Sequence, residues 1–143
     1  MDQQLWPRRE RPEVTGPHFE CELSGPGELR RMRACLRAWL AGELGEPAAL
    51  DGVGDDLLAA VDELASNGLR HGRAPVRVRA VHAVRWMLLD VSDGDPQHGP
   101  APAVGRDPAL GGMGLRMVAH VTADRGWTVV DDRKHVWACL SAG

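Results

Sequence analysis

Residues 61–72 read "VDELASNGLRHG", and two properties of that stretch pull against each other. Val61, Leu64 and Ala65 extend an apolar stripe that begins with Leu50, Val53, Leu57 and Leu58, so the spacing predicts an amphipathic helix over about 50–71 that stops at Gly72. Yet Asn67 and Gly68 both lower helix stability, and Ala or Leu would serve packing better. At about 100° per residue, Glu63, Asn67 and His71 fall one turn apart along the flank of the stripe, bordering the core and facing a cleft. The carboxamide oxygen of Asn67 is a neutral, hard ligand suited to Mg²⁺, and Glu63 is placed to act as a general base near the same ion. Taken alone, the stretch favours a plainer reading, in which Glu63 and Arg70 form a solvated edge and Asn67 is merely tolerated.

The surrounding elements follow from periodicity. "HFECELSG" alternates Phe19, Cys21 and Leu23 against polar neighbours as a half-buried strand does. Leu29, Met32, Leu36, Trp39 and Leu40 then recur at helical spacing, predicting a helix over about 26–44 that Gly45 and Pro47 end. "APVRVRAVHAV" and "RWMLLDVSD" predict two paired strands, the second interior because its apolar run is nearly continuous. Residues 95–111 are rich in Pro and Gly without a period and read as a functional loop or lid. "MGLRMVAHVTAD" predicts a short helix, over about 113–123, with Leu115, Val118 and Ala119 inward, and "GWTVVDD" with "KHVWACLS" a closing hairpin. Trp39, Trp86, Trp127 and Trp137 are expected on apolar faces. Residues 1–17 combine charge with three prolines and read as a flexible arm, from which Trp6 is free to dock. Residues 18–143 are then one α/β domain, a two-layer sandwich with a mixed β-sheet and three helices on one face.

Composition bounds the function. A 143-residue chain with 43% hydrophobic residues, a net charge of -3 and pI near 6.0 has no general attraction for nucleic acid or an anionic membrane. Arg30, Arg31, Arg33 and Arg37 form only a local basic strip. Lys134 is the sole lysine among 17 basic residues, which points to biased coding rather than many separate needs for guanidinium. Cys21, Cys35 and Cys139 lack Cys-x-x-Cys spacing and follow no signal peptide, so a reduced, cytoplasmic setting is expected. No apolar run approaches the ~20 residues of a membrane span.

Two further motifs shift the balance for residues 61–72. "LLDVSDGDP" ends an apolar strand in Asp93-Gly94, where a carboxylate can accept a hydrogen bond from an exocyclic amine while the glycine admits a flat ring. "LGGMGLRMV" puts Gly111, Gly112 and Gly114 directly before a helix, where backbone N–H groups cradle phosphate. Each is weak alone, but their order and spacing are specific.

A helix with Glu-x-x-x-Asn, a strand ending in Asp-Gly, a long lid and Gly-x-Gly-Leu opening a helix together resemble the GHKL (Bergerat-fold) ATPase superfamily. The short length, "ELASNGLRHG", "GGMGLRMVAHVTADRGW" and "KHVWACLS" are similar to the small bacterial anti-sigma factor serine kinases and their ATP-binding relatives, over about residues 18–141. The resemblance implies ATP and Mg²⁺ as cofactors, with Asn67 as the metal ligand and Glu63 as the catalytic base. It implies that Asp93 binds the adenine amino group beside Gly94, that Gly112, Met113, Gly114 and Leu115 hold the phosphates, and that His71 belongs to the nucleotide-binding box. Two departures stand out: Asp95-Pro96 follows Asp93-Gly94 where the family often has another glycine, and His135 stands where many relatives have a threonine near adenine. The expected function is an ATP-dependent serine/threonine kinase that binds a sigma factor or phosphorylates its antagonist, with the basic strip as a partner surface and a homodimer possible. A non-catalytic nucleotide sensor of the same fold is the alternative. A detached histidine-kinase catalytic domain is less favoured, because residues 1–17 hold no dimerising helix.

Overall fold

The computed structural model describes residues 6–45, 52–100 and 113–142. Five strands, β1 (His18–Leu23), β2 (Val76–His82), β3 (Trp86–Asp93), β4 (Asp124–Val130) and β5 (Arg133–Ser141), form one sheet in the order β1-β2-β3-β5-β4. Among the described residues three helices, α1 (Leu29–Leu44), α2 (Val53–His71) and α3 (Met113–Val121), join the sheet, a short 3₁₀ turn leading into α1. The element order matches the sequence reading, and Leu50 lies outside the described residues.

All pairings among the five strands are antiparallel. The parallel component of the expected mixed sheet is confined to one bridge, between Arg8 and Trp127. Strand alternation sends Met87, Leu89, Val91 and Asp93 of β3 to the helix side, where Val136, Ala138 and Leu140 of β5 join them. α2 runs over this face and packs on β3, β2 and β5, with α1 and α3 on either side of it. Leu57, Val61, Leu64 and Ala65 are buried beneath it, so the stripe of the opening motif is the centre of the core.

Residues 6–17 of the expected flexible arm lie along the sheet. Trp6 is buried on the helix side, and Arg9 N–H donates to the Trp127 carbonyl at 2.9 Å, extending the β4 edge. Beyond it the arm crosses the face away from the helices. There Trp137 Nε1 donates to the Arg9 carbonyl at 3.1 Å, Arg11 pairs with Asp90, and Val14 packs against Val81 and Leu88. Trp137 is accordingly buried, but beneath the arm and not beneath the helices. Trp86, expected in the core, is exposed because it stands at the first position of β3. No helix is long and apolar enough to cross a membrane among the described residues.

Candidate functional site

α2 is the spine of the site. Glu63, Asn67 and His71 occupy successive turns on it, with Glu63 and Asn67 half-buried and His71 exposed in its last turn. Eight residues at ~1.5 Å each set Glu63 and His71 about 12 Å apart along the axis, so the row is spread along α2 and does not converge on one point.

At the Glu63 end, α2 meets the start of α3. A β-carbon built on Gly114 would overlap the Glu63 carboxylate, so the side chain fits only because residue 114 is glycine. The carboxylate therefore lies beside the opening turn of α3, whose N–H groups lack helical partners. Leu115 is buried behind it. Gly112 lies outside the described residues, as does most of the expected lid, and Met113 is the first residue of α3.

At the other end α2 meets the end of β3. The Asp93 carboxylate, 3% exposed, fills the space beside Gly72, where a β-carbon would come within 2.5–2.6 Å of its two oxygens. Gly68 opens the same space: a β-carbon there would sit 3.2 Å from Val76 and 3.6 Å from Asp93 Oδ2. Gly72 has φ near -94°, an ordinary conformation for any residue, so Asp93 and not a left-handed turn requires the glycine. This explains Gly68 in the opening motif, where helix stability is traded for close approach to the strand end. Gly94 continues the junction by donating its N–H to the Arg73 carbonyl at 2.8 Å.

Asp93 is already engaged. Its Oδ1 accepts the Asp95 N–H at 2.8 Å, and its Oδ2 lies 3.4 Å from Lys134 Nζ, with both side chains almost wholly buried. Lys134 also donates to the His98 carbonyl at 2.6 Å. Asp95 accepts the Gln97 N–H and contacts the His98 ring, and these bonds hold its carboxyl below the usual range. The Asp95-Pro96 departure thus builds a short hydrogen-bonded turn over the strand end.

Lys134, the one lysine in an arginine-rich chain, is a residue of this junction that the sequence signals only indirectly. The signal was its alternation with Val136, Ala138 and Leu140, which puts it on the helix side opposite Asp93 in the β3–β5 register. The same alternation corrects the placement of His135. It faces the other side of the sheet, its Nδ1 3.1 Å from the Asp90 carboxylate, and is not part of this cleft.

A family model for the histidine kinase-like ATPase domain matches residues 24–140. The chain belongs to that family. No curated protein matches it. The ATPase domain is therefore of the ATP-binding, kinase-like class, and its layered antiparallel sheet is the fold of that class. A glycine-opened helix start and the oxygen of Asn67 suit a nucleotide chemically, while the carboxylate at the other end of α2, Asp93, is already paired with Lys134 and the Asp95 N–H. Among the described residues no cluster of three or more His, Cys, Asp or Glu is placed to hold a metal.

Proposed function

We propose that this ATPase domain is an ATP-dependent serine/threonine protein kinase of the anti-sigma regulator type, which binds a sigma factor or phosphorylates a Ser or Thr of its antagonist. The observation that carries the reading is the seating of Glu63 against Gly114, one helical turn from Asn67. In this reading Glu63 is the base, Asn67 one turn on is the oxygen ligand and the start of α3 is the phosphate cradle, the set in-line phosphoryl transfer requires.

In this reading Asp93 accepts a hydrogen bond from the adenine amine, and Gly94 lies beside the ring. Asn67 holds Mg²⁺, which when bound offsets charge on the phosphates. Backbone N–H groups of Gly114 and Leu115, with Gly112 and Met113, hold the phosphate oxygens, and His71 borders the cleft. Glu63 takes the proton of the attacking hydroxyl. Arg30, Arg31 and Arg37 of α1 are exposed and suited to acidic residues of the partner, with self-association a further use of this face. Arg33 is committed otherwise, its Nε 2.9 Å from Asp62 on α2. A cytoplasmic setting follows from a sigma-factor partner.

A second reading is a nucleotide sensor without turnover; the buried Lys134–Asp93 pair bears on adenine binding in both, because Lys134 already engages the carboxylate proposed to accept the adenine amine. Calorimetry with ATP, with and without Mg²⁺, followed by transfer of labelled γ-phosphate to candidate partners, separates the two. Mg²⁺-dependent binding with labelling supports the kinase. Tight binding without labelling of any partner supports the sensor, and absence of binding at millimolar ATP rejects both.

A further inference from the structure

We propose that Trp6 is a positioning residue for the phosphate end of the nucleotide site, and that residues 6–9 of the arm are a working part of the ATPase domain. The inference rests on the nucleotide-binding reading above.

α3 is a nine-residue helix that packs chiefly on α2, too short to be stable without tertiary support. Trp6 supplies a further support. It is 3% exposed, and its Nε1–H donates to the Leu115 carbonyl at 3.3 Å, in the first turn of α3. The next residues anchor it to the sheet. Trp127 N–H donates to the Pro7 carbonyl at 3.0 Å, Arg9 N–H returns to the Trp127 carbonyl, and the Arg8 guanidinium stands 4.9 Å over the Trp127 ring. Gly126 leaves room for this crossing, since a β-carbon there would meet the Pro7 carbonyl at 3.0 Å.

A continuous path therefore runs from the β4 edge through Trp6 to Leu115, and from the adjoining Gly114 to Glu63. Packing on α2 and the Arg125 Nη1 bond to the Ala119 carbonyl at 3.1 Å hold the middle and end of α3, so a swing of its first turn is what remains to be limited. Trp6 opposes the swing, so the N–H groups at the start of α3 keep their aim into the cleft. It touches neither base nor phosphate in this scheme and acts only through α3.

The test compares two ligands of one protein. MgATP and adenosine both draw on the same folded fraction, so a variant that is only less stable weakens both by the same factor. Mispositioning of α3 weakens MgATP alone. Calorimetry on the full chain carrying Trp6→Ala is expected to lower MgATP affinity about tenfold relative to adenosine, comparable to one lost charge-assisted hydrogen bond. Trp6→Phe, which keeps the burial and loses the N–H donor, is expected to recover much of the ratio and guards against misfolding of the alanine variant. An unchanged ratio in both variants overturns the proposal and leaves Trp6 an ordinary core residue. A wild-type chain that binds neither ligand rejects the nucleotide reading itself, and this one with it.

Discussion

Gly114 and Glu63 occupy complementary space: the glycine at the start of α3 has no side chain where the Glu63 carboxylate lies. A methyl group at residue 114 would displace the end of a mobile side chain and not backbone, so the cost in stability is small. Gly114→Ala is expected to leave the melting temperature within a few degrees of wild type. Phosphotransfer should fall toward the roughly 10²–10⁴-fold loss of a missing base, which Glu63→Ala should show with ATP binding nearly intact. Because the methyl acts through Glu63, it should cost little more in a Glu63→Ala background. Losses that simply multiply in the double variant would show that the two residues act independently.

Gly72 and Gly68 should respond unequally to alanine. At Gly72 the new methyl meets the buried Asp93 carboxylate, which Asp95 and Lys134 hold in place. Overpacking of this kind costs about 1–3 kcal/mol. At Gly68 the methyl meets mainly the Val76 side chain at 3.2 Å, and a gain of up to about 1 kcal/mol in helix propensity offsets the crowding. Urea unfolding should therefore rank Gly72→Ala well below Gly68→Ala. The reverse order would mean that Asp93 yields more easily than its contacts indicate.

Removal of one partner from the Lys134–Asp93 pair leaves a charge in a dry site. Lys134→Met should cost about 3 kcal/mol, toward the lower end for a broken buried pair because Asp93 keeps its bond from Asp95. Lys134→Met combined with Asp93→Asn should recover most of that stability. Equal stability of the single and double variants in denaturant titrations would remove the pair from the account.

The three thiols should separate by reactivity. Cys35 is exposed, Cys21 half-buried, and burial raises the Cys21 thiol, with Cys35 and Glu28 adding to the shift. Burial pushes Cys139 up to about 11, Asp124 contributing. At pH 8 only about one Cys139 in a thousand is thiolate, and that fraction grows as the pH rises toward 11. Alkylation followed by mass spectrometry should modify Cys35 first and Cys139 last, with the Cys139 rate climbing through alkaline pH in the folded chain. Early modification of Cys139 at pH 8 would contradict its placement.

Much of the architecture was legible because it rests on local chemistry. Period 3.6 marked the stripes from Leu29 to Leu40 and from Leu57 to Ala65, and period 2 marked the strands. Asn67 and Gly68 stood out because both lower helix stability, and Glu63, Asp93 and Gly114 through the order and spacing of their motifs. Three things were decided only by the tertiary structure. Gly72 looked like a helix stop, yet its smallness serves a carboxylate more than twenty residues away. Lys134 and His135 are chain neighbours that a period of 2 sends to opposite faces, and only the register opposite Asp93 tells which one enters the cleft. The arm carries no period because its contacts are singular: an indole hydrogen bond to Leu115, a backbone bridge at Trp127 and ion pairs with Asp124 and Asp90. A pattern in sequence arises when an element repeats one environment along its length, and such single contacts between distant segments leave none.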